Sequence, residues 1–105
     1  FSIESATGKA LSDRSDRFRE FYISGMRNQP YPQYAGKLLE TVRDADESEA
    51  TRIQCAEVLG WFVRAWNRKE IISGIDGYLN SETEIPAAVR DELVKTKSRL
   101  VYYTK

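Results

Sequence analysis

Ala50-Thr51-Arg52-Ile53-Gln54-Cys55-Ala56-Glu57-Val58-Leu59-Gly60-Trp61-Phe62-Val63-Arg64-Ala65-Trp66 is the stretch on which the fold turns. Wound as one helix, it sets Cys55, Leu59, Phe62 and Trp66 in a single row. Ala56 and Val63 flank that row on one side, and Val58, Trp61 and Ala65 on the other. Only Glu49, Arg52, Glu57 and Arg64 keep a polar strip. A surface helix carries an apolar stripe about 100° wide. This one is much wider, so it needs neighbours on several sides. The pattern predicts a helical scaffold around a central helix, with Trp61, Phe62 and Trp66 in the core.

Toward the N-terminus, residues 1–9 lack periodicity and read as a lead-in. Leu11, Phe18, Phe21, Tyr22 and Met26 then recur at helical spacing, with Ser12, Asp13 and Ser15 each able to cap the helix they define. That helix ends near Asn28, because Pro30 and Pro32 follow and a proline pushes its predecessor out of the α region. Pro32 suits the first position of a second helix, where its missing N–H costs nothing. This helix buries Tyr34, Ala35, Leu38, Leu39 and Val42 and exposes Gln33, Lys37, Glu40 and Asp44. In the polar loop 44–49, Asp46 and Glu49 form a capping box for the central helix.

Toward the C-terminus, Asn67 and Glu70 make a second capping box. The fourth helix buries Ile71, Ile72, Ile75, Tyr78 and Leu79 and exposes Lys69, Ser73, Asp76 and Asn80. Pro86 opens a fifth, with Val89, Leu93, Thr96 and Leu100 on one face. No segment has the period of a strand. The expected fold is all-α, about five helices in a single domain 1–105. It divides into the lead-in 1–9, a hairpin at 10–44, a second at 46–80 and a terminal helix at 85–103.

The second and fourth helices superimpose on a shift of about 37 residues, which places Tyr34, Ala35, Leu38 and Val42 on Ile71, Ile72, Ile75 and Leu79. The same shift sets Phe18 and Tyr22 on Cys55 and Leu59. A hairpin of this kind cannot hide both faces of its inner helix alone, so units stack and the middle one becomes apolar all round. The alternative is an irregular four- or five-helix bundle, in which the match between hairpins is coincidental. Ala56-Glu57-Val58-Leu59-Gly60-Trp61-Phe62, Arg68-Lys69-Glu70-Ile71-Ile72 and Arg90-Asp91-Glu92-Leu93-Val94-Lys95-Thr96-Lys97-Ser98-Arg99-Leu100 resemble HEAT-like repeats, and in particular the last units of bacterial HEAT-repeat proteins. The resemblance spans residues 16–101. It departs from a well-formed unit at Pro30-Tyr31-Pro32, which replaces a short polar turn. Its motifs concern core and turn positions, and what it implies is an α-solenoid stack of antiparallel helical hairpins that binds protein and carries no catalysis.

Chemistry is restricted from the outset. With no His in 105 residues, Ser-His-Asp and Cys-His arrangements and His-based metal sites are impossible within the chain. The single Cys55 forms no internal disulfide, and its place in the apolar row makes it a small buried hydrophobe. Asp44-x-Asp46-x-Ser48 opens like a calcium loop, but Glu49 stands where the sharp turn needs Gly and Cys55 where a bidentate Glu belongs. Gly8-Lys9 lacks the upstream Gly of a phosphate loop, with Ile3 there instead, and Ala10 replaces the hydroxyl residue. Carboxylate pairs such as Asp13/Asp16 and Asp91/Glu92 read as solvated surface. No catalytic, cofactor or metal residue is expected, and no apolar run approaches the ~20 residues of a membrane span. The chain opens at Phe1 without an initiator Met, as a trimmed product or a C-terminal piece would.

A protein or peptide partner is therefore the expected ligand. In a stacked array the inner helices line the concave side, which singles out Lys37, Glu40 and Asp44 with Lys69, Ser73 and Asp76 as the interaction surface. Tyr31, Tyr34, Tyr102 and Tyr103 stand at element ends, where Tyr is useful for contact. Two alternatives stand beside this reading. One is a nucleic-acid-binding HEAT-like domain using Arg14, Arg17, Lys95, Lys97 and Arg99; the balance of 16 basic against 16 acidic residues argues against it. The other is the structural terminus of a larger protein.

Overall fold

Helices end in this chain where a side chain or a close neighbour offers the backbone something else. The computed structural model describes residues 2–103. Its elements are α1 (Ile3–Ser12), α2 (Arg19–Gly25), a 3-10 turn (Pro32–Tyr34), α3 (Ala35–Arg43), α4 (Glu49–Leu59), α5 (Arg68–Leu79) and α6 (Ala87–Tyr102). Among the described residues there is no strand, and the chain is all-α with six helices where about five were expected.

The expected lead-in is largely helical. Ser2 caps α1 by accepting the Ser5 N–H, and Thr7, Ala10 and Leu11 are buried. The helix expected to run on through Phe18 breaks instead after Ser12. The Asp13 carboxylate accepts both the backbone N–H and the hydroxyl of Ser15, at 2.9 and 2.7 Å, and Asp16 accepts the Phe18 N–H at 2.8 Å. Such local bonds compete with helix continuation. After the break, Ile23 and Met26 point inward, whereas Phe18 and Phe21 are 52% and 71% exposed.

The central helix is shorter than its apolar pattern predicts. α4 stops at Leu59, and Gly60, Trp61 and Phe62 donate to carbonyls three residues back. Two further turns follow, Ala65 N–H to Phe62 O and Arg68 N–H to Ala65 O. The same pair of turns joins α1 to α2, through Asp16 to Asp13 and Arg19 to Asp16. Gly60 lies close against α6: a Cβ there would lie 2.8 Å from Arg99 Nη1 and 3.1 Å from Thr96 Oγ1. Phe62 is fully buried, as expected, but Trp61 and Trp66 are 42% and 79% exposed. The width of the apolar stretch therefore has two origins, a buried helix and an exposed aromatic turn.

Both expected capping boxes are replaced. Ser48, not Asp46, accepts the Thr51 N–H at the start of α4. Asn67 stands at the N-cap position of α5, yet its amide donates across to Pro32 O at 3.0 Å.

Packing places α4 against α2, α3 and α6, and α5 against α3 and α6. The order α2–α4–α6 forms one layer and α3–α5 the other, in a body 38 × 32 × 16 Å. The close consecutive pairs are α1 with α2, α3 with α4 and α5 with α6. The pairs expected as hairpins, α2 with α3 and α4 with α5, are not among the close ones. One core runs through both layers, from Leu11 and Ile23 through Leu38, Leu59 and Phe62 to Leu93 and Leu100. Arg52, expected in the polar strip, is buried: Nε donates to Val42 O at 2.8 Å and Nη2 to the Tyr78 hydroxyl at 2.9 Å. It caps the C-terminal end of α3, where a cation suits the helix dipole.

Candidate functional site

The six residues of the expected concave surface do not form one open patch of free charges. Lys37 pairs with Glu40 at 3.6 Å one turn along α3. Asp44 takes the Arg14 guanidinium and the Asp46 N–H, which ties the loop after α3 to the turn before α2. Glu47 continues this network with Arg14 at 3.4 Å and Arg19 at 2.7 Å. Asp76 pairs with Lys97 at 2.5 Å across the α5–α6 contact. Lys69 and Ser73 are exposed on α5. Asp44 and Asp76 thus hold elements together, while Glu40 pairs only within α3.

The basic residues of the alternative reading are likewise divided. Arg14 and Lys97 are engaged in the pairs above, Arg17 lies over the Phe18 ring at 4.9 Å, and Arg99 over the Trp61 ring at 4.4 Å. Lys95 is exposed on α6. The two groups belong to elements that flank α4, which packs against both α2 and α6. The tyrosines divide too. Tyr34 donates to Glu4 O at 2.9 Å and meets Tyr31 edge-on, whereas Tyr102 and Tyr103 are exposed. Cys55 is buried, and burial pushes its thiol up to about 12, opposed by the charge of Arg19 and aided by that of Glu47. Its low thiolate fraction makes it inert.

A more organised arrangement lies at the end of α4. Segments 27–32 and 61–65 enclose a groove of about 290 Å³ lined by Pro30, Pro32, Trp61, Phe62 and Val63, with Arg27 and Arg64 at its edges. Asn67 holds the two segments together through Pro32 O. Glu57, in the last turn of α4, organises the wall. Its Oε1 accepts from Arg27 Nε at 2.5 Å, and its Oε2 accepts from the Trp61 indole N–H at 2.6 Å. Arg27 is itself held by the Ser24 hydroxyl at 2.6 Å. Burial alone would raise the Glu57 carboxyl, but the hydrogen bonds from Arg27 and Trp61 and the charges of Arg27 and Arg99 outweigh it and hold the pKa below the usual value. Trp61 is thereby fixed on three sides: by Glu57 at its N–H, by Arg99 over its face and by its own turn.

Charge is uneven here. Arg27, Arg64, Arg68 and Arg99 line the groove or touch a residue that does, and among the described residues Glu57 is the one acid bonded to the groove's own residues. Arg64 is exposed and has no ion-pair partner among the described residues. Trp66 projects beside it into solvent. Sequence reasoning placed both tryptophans in the core. The signal that contradicts that placement is Gly60, a poor helix former at the point where the helix ends.

A second, more apolar hollow of about 350 Å³ lies between α1 and α2, lined by Ile3, Phe21, Tyr22, Met26 and Tyr31. Among the described residues no group of three or more Cys, Asp or Glu converges as a metal site would require, and no helix is long and apolar enough to cross a membrane. The chain matches no family model, no curated protein and no solved structure.

Proposed function

We propose that this chain is a noncatalytic protein- or peptide-binding module of helical-repeat type, working through the groove between segments 27–32 and 61–65. The observation that carries the proposal is the pair of exposed tryptophans on the successive turns after α4, Trp61 held by Glu57 and Arg99 and Trp66 projecting into solvent. Trp and Arg dominate the residues that supply binding energy at protein interfaces. A side chain already held in place loses little entropy on binding. This working surface replaces the ridge of Lys37, Glu40, Asp44, Lys69, Ser73 and Asp76, whose acidic residues are occupied by pairs within the chain. The helical-repeat part of the proposal rests on consecutive helices that pack in pairs, α3 with α4 and α5 with α6, one pair set beside the other through α4–α6 and α3–α5.

The test is site-specific photocrosslinking. A photoreactive phenylalanine replacing Trp66 should give a discrete adduct in extract from the source cells, and excess unlabelled chain should compete it away. A Trp61→Ala/Trp66→Ala double variant should fail to compete. Equal competition by that variant would remove the groove from the account.

A further inference from the structure

Resting on that reading of the groove, we infer that its ligand is an acidic, extended peptide segment carrying an apolar side chain between its carboxylates. The chain as a whole is neutral, with 16 basic and 16 acidic residues. Against that background, four arginines and one glutamate gathered about one groove make a local basic field, and such fields choose partners by complementary charge. The arginines differ in what they have left to give. Arg27 is bonded to Glu57 and Ser24, and Arg68 donates to Val63 O at 2.6 Å. Arg99 is stacked on Trp61. Arg64 alone stands exposed on the rim without an ion-pair partner among the described residues, between Val63 and Ala65, which line the groove. A guanidinium in that position matches a carboxylate in two-point geometry.

The floor selects the rest of the ligand. Pro30, Pro32 and Val63 present apolar surface over the buried Phe62, and Trp66 is exposed on the turn that follows. An aliphatic side chain flanked by acids would bury itself there while its neighbours meet the rim. A nucleic acid fits less well. Arg99 already covers one face of Trp61 and Glu57 takes its N–H, which makes that ring a poor platform for stacking a base.

Three short peptides with blocked ends serve as probes in an intrinsic-fluorescence titration: Glu-Glu-Leu-Glu-Glu, Gln-Gln-Leu-Gln-Gln and Lys-Lys-Leu-Lys-Lys. The acidic peptide should bind, more weakly as salt rises, and the other two should not. Arg64→Glu should weaken it by about tenfold or more, while Lys9→Glu, the same charge change on exposed α1, should leave it unchanged. Equal affinity for the Gln and Glu peptides overturns the acidic inference without touching the groove, whose own test is the crosslink at position 66. Equal loss in both charge variants overturns it as well, since the attraction would then belong to the whole molecule. Binding of no peptide, or tighter binding of a single-stranded oligonucleotide, also overturns it.

Discussion

Two aromatic neighbours, Trp61 and Phe62, divide the work at the end of α4. Phe62 is fully buried, and Phe62→Ala should cost about 3–5 kcal/mol in denaturant unfolding, as large core deletions do. Trp61 is held from outside by Glu57 and Arg99, so Trp61→Ala should cost only about 1 kcal/mol. Comparable losses would mean that Trp61 is core after all. Glu57 gives the site a pH signature. Its folded pKa lies below the unfolded value despite the opposing effect of burial, so the stability it contributes is fully present above the ordinary Glu range. That stability is lost as pH falls through the folded value. Asp13, lowered chiefly by the Ser15 hydroxyl and N–H, acts in the same direction at the α1–α2 turn. Glu57→Gln should therefore lower the neutral plateau of the stability curve and flatten its acid limb; an unchanged acid limb would count against the network. Cys55 should resist a thiol reagent at neutral pH and react at once when unfolded, because burial has raised its thiol to about 12. Rapid labelling of native protein would contradict its buried place.

The elements join through groups that no periodicity reveals. Arg52 links α4 to the end of α3 and to Tyr78 on α5. Arg52→Met keeps much of the volume but leaves Val42 O and the Tyr78 hydroxyl without their donor, and should cost about 1–3 kcal/mol. A neutral result in thermal or denaturant unfolding would show that water takes over. What sequence made legible follows the same division. The faces of α3, α5 and α6 were readable because each buries a regular row: Leu38 and Val42, Ile71 and Ile75, Val89 through Leu100. The breaks were not, because they depend on bonds that periodicity does not encode, such as Asp13 to Ser15, or on distant neighbours, such as Gly60 against α6. The working surface was hidden for the same reason. A row of Leu59, Phe62 and Trp66 is a buried stripe only if the helix continues, and it does not.

Across the molecule, α4 is covered from three sides by α2, α3 and α6, which is what its wide apolar surface asked for. The two layers share one core, so the protein should unfold in a single transition, with fluorescence and circular dichroism coincident. Basic residues of the α1–α2 turn and of α6 belong to elements that flank α4, and Arg14 and Lys97 are spent on ion pairs. Duplex DNA should therefore show no measurable binding even at low salt. The central claim is that α4 ends at Leu59 and turns its tryptophans toward the solvent as a binding surface. Single-tryptophan variants test it most directly, with Trp61→Phe reporting Trp66 and Trp66→Phe reporting Trp61. Acrylamide should quench Trp66 almost as freely as free indole and Trp61 to an intermediate degree, with both shielded when the acidic peptide is bound. Two tryptophans shielded in the free protein would contradict the claim, because they would lie in a continuous helix buried to Trp66.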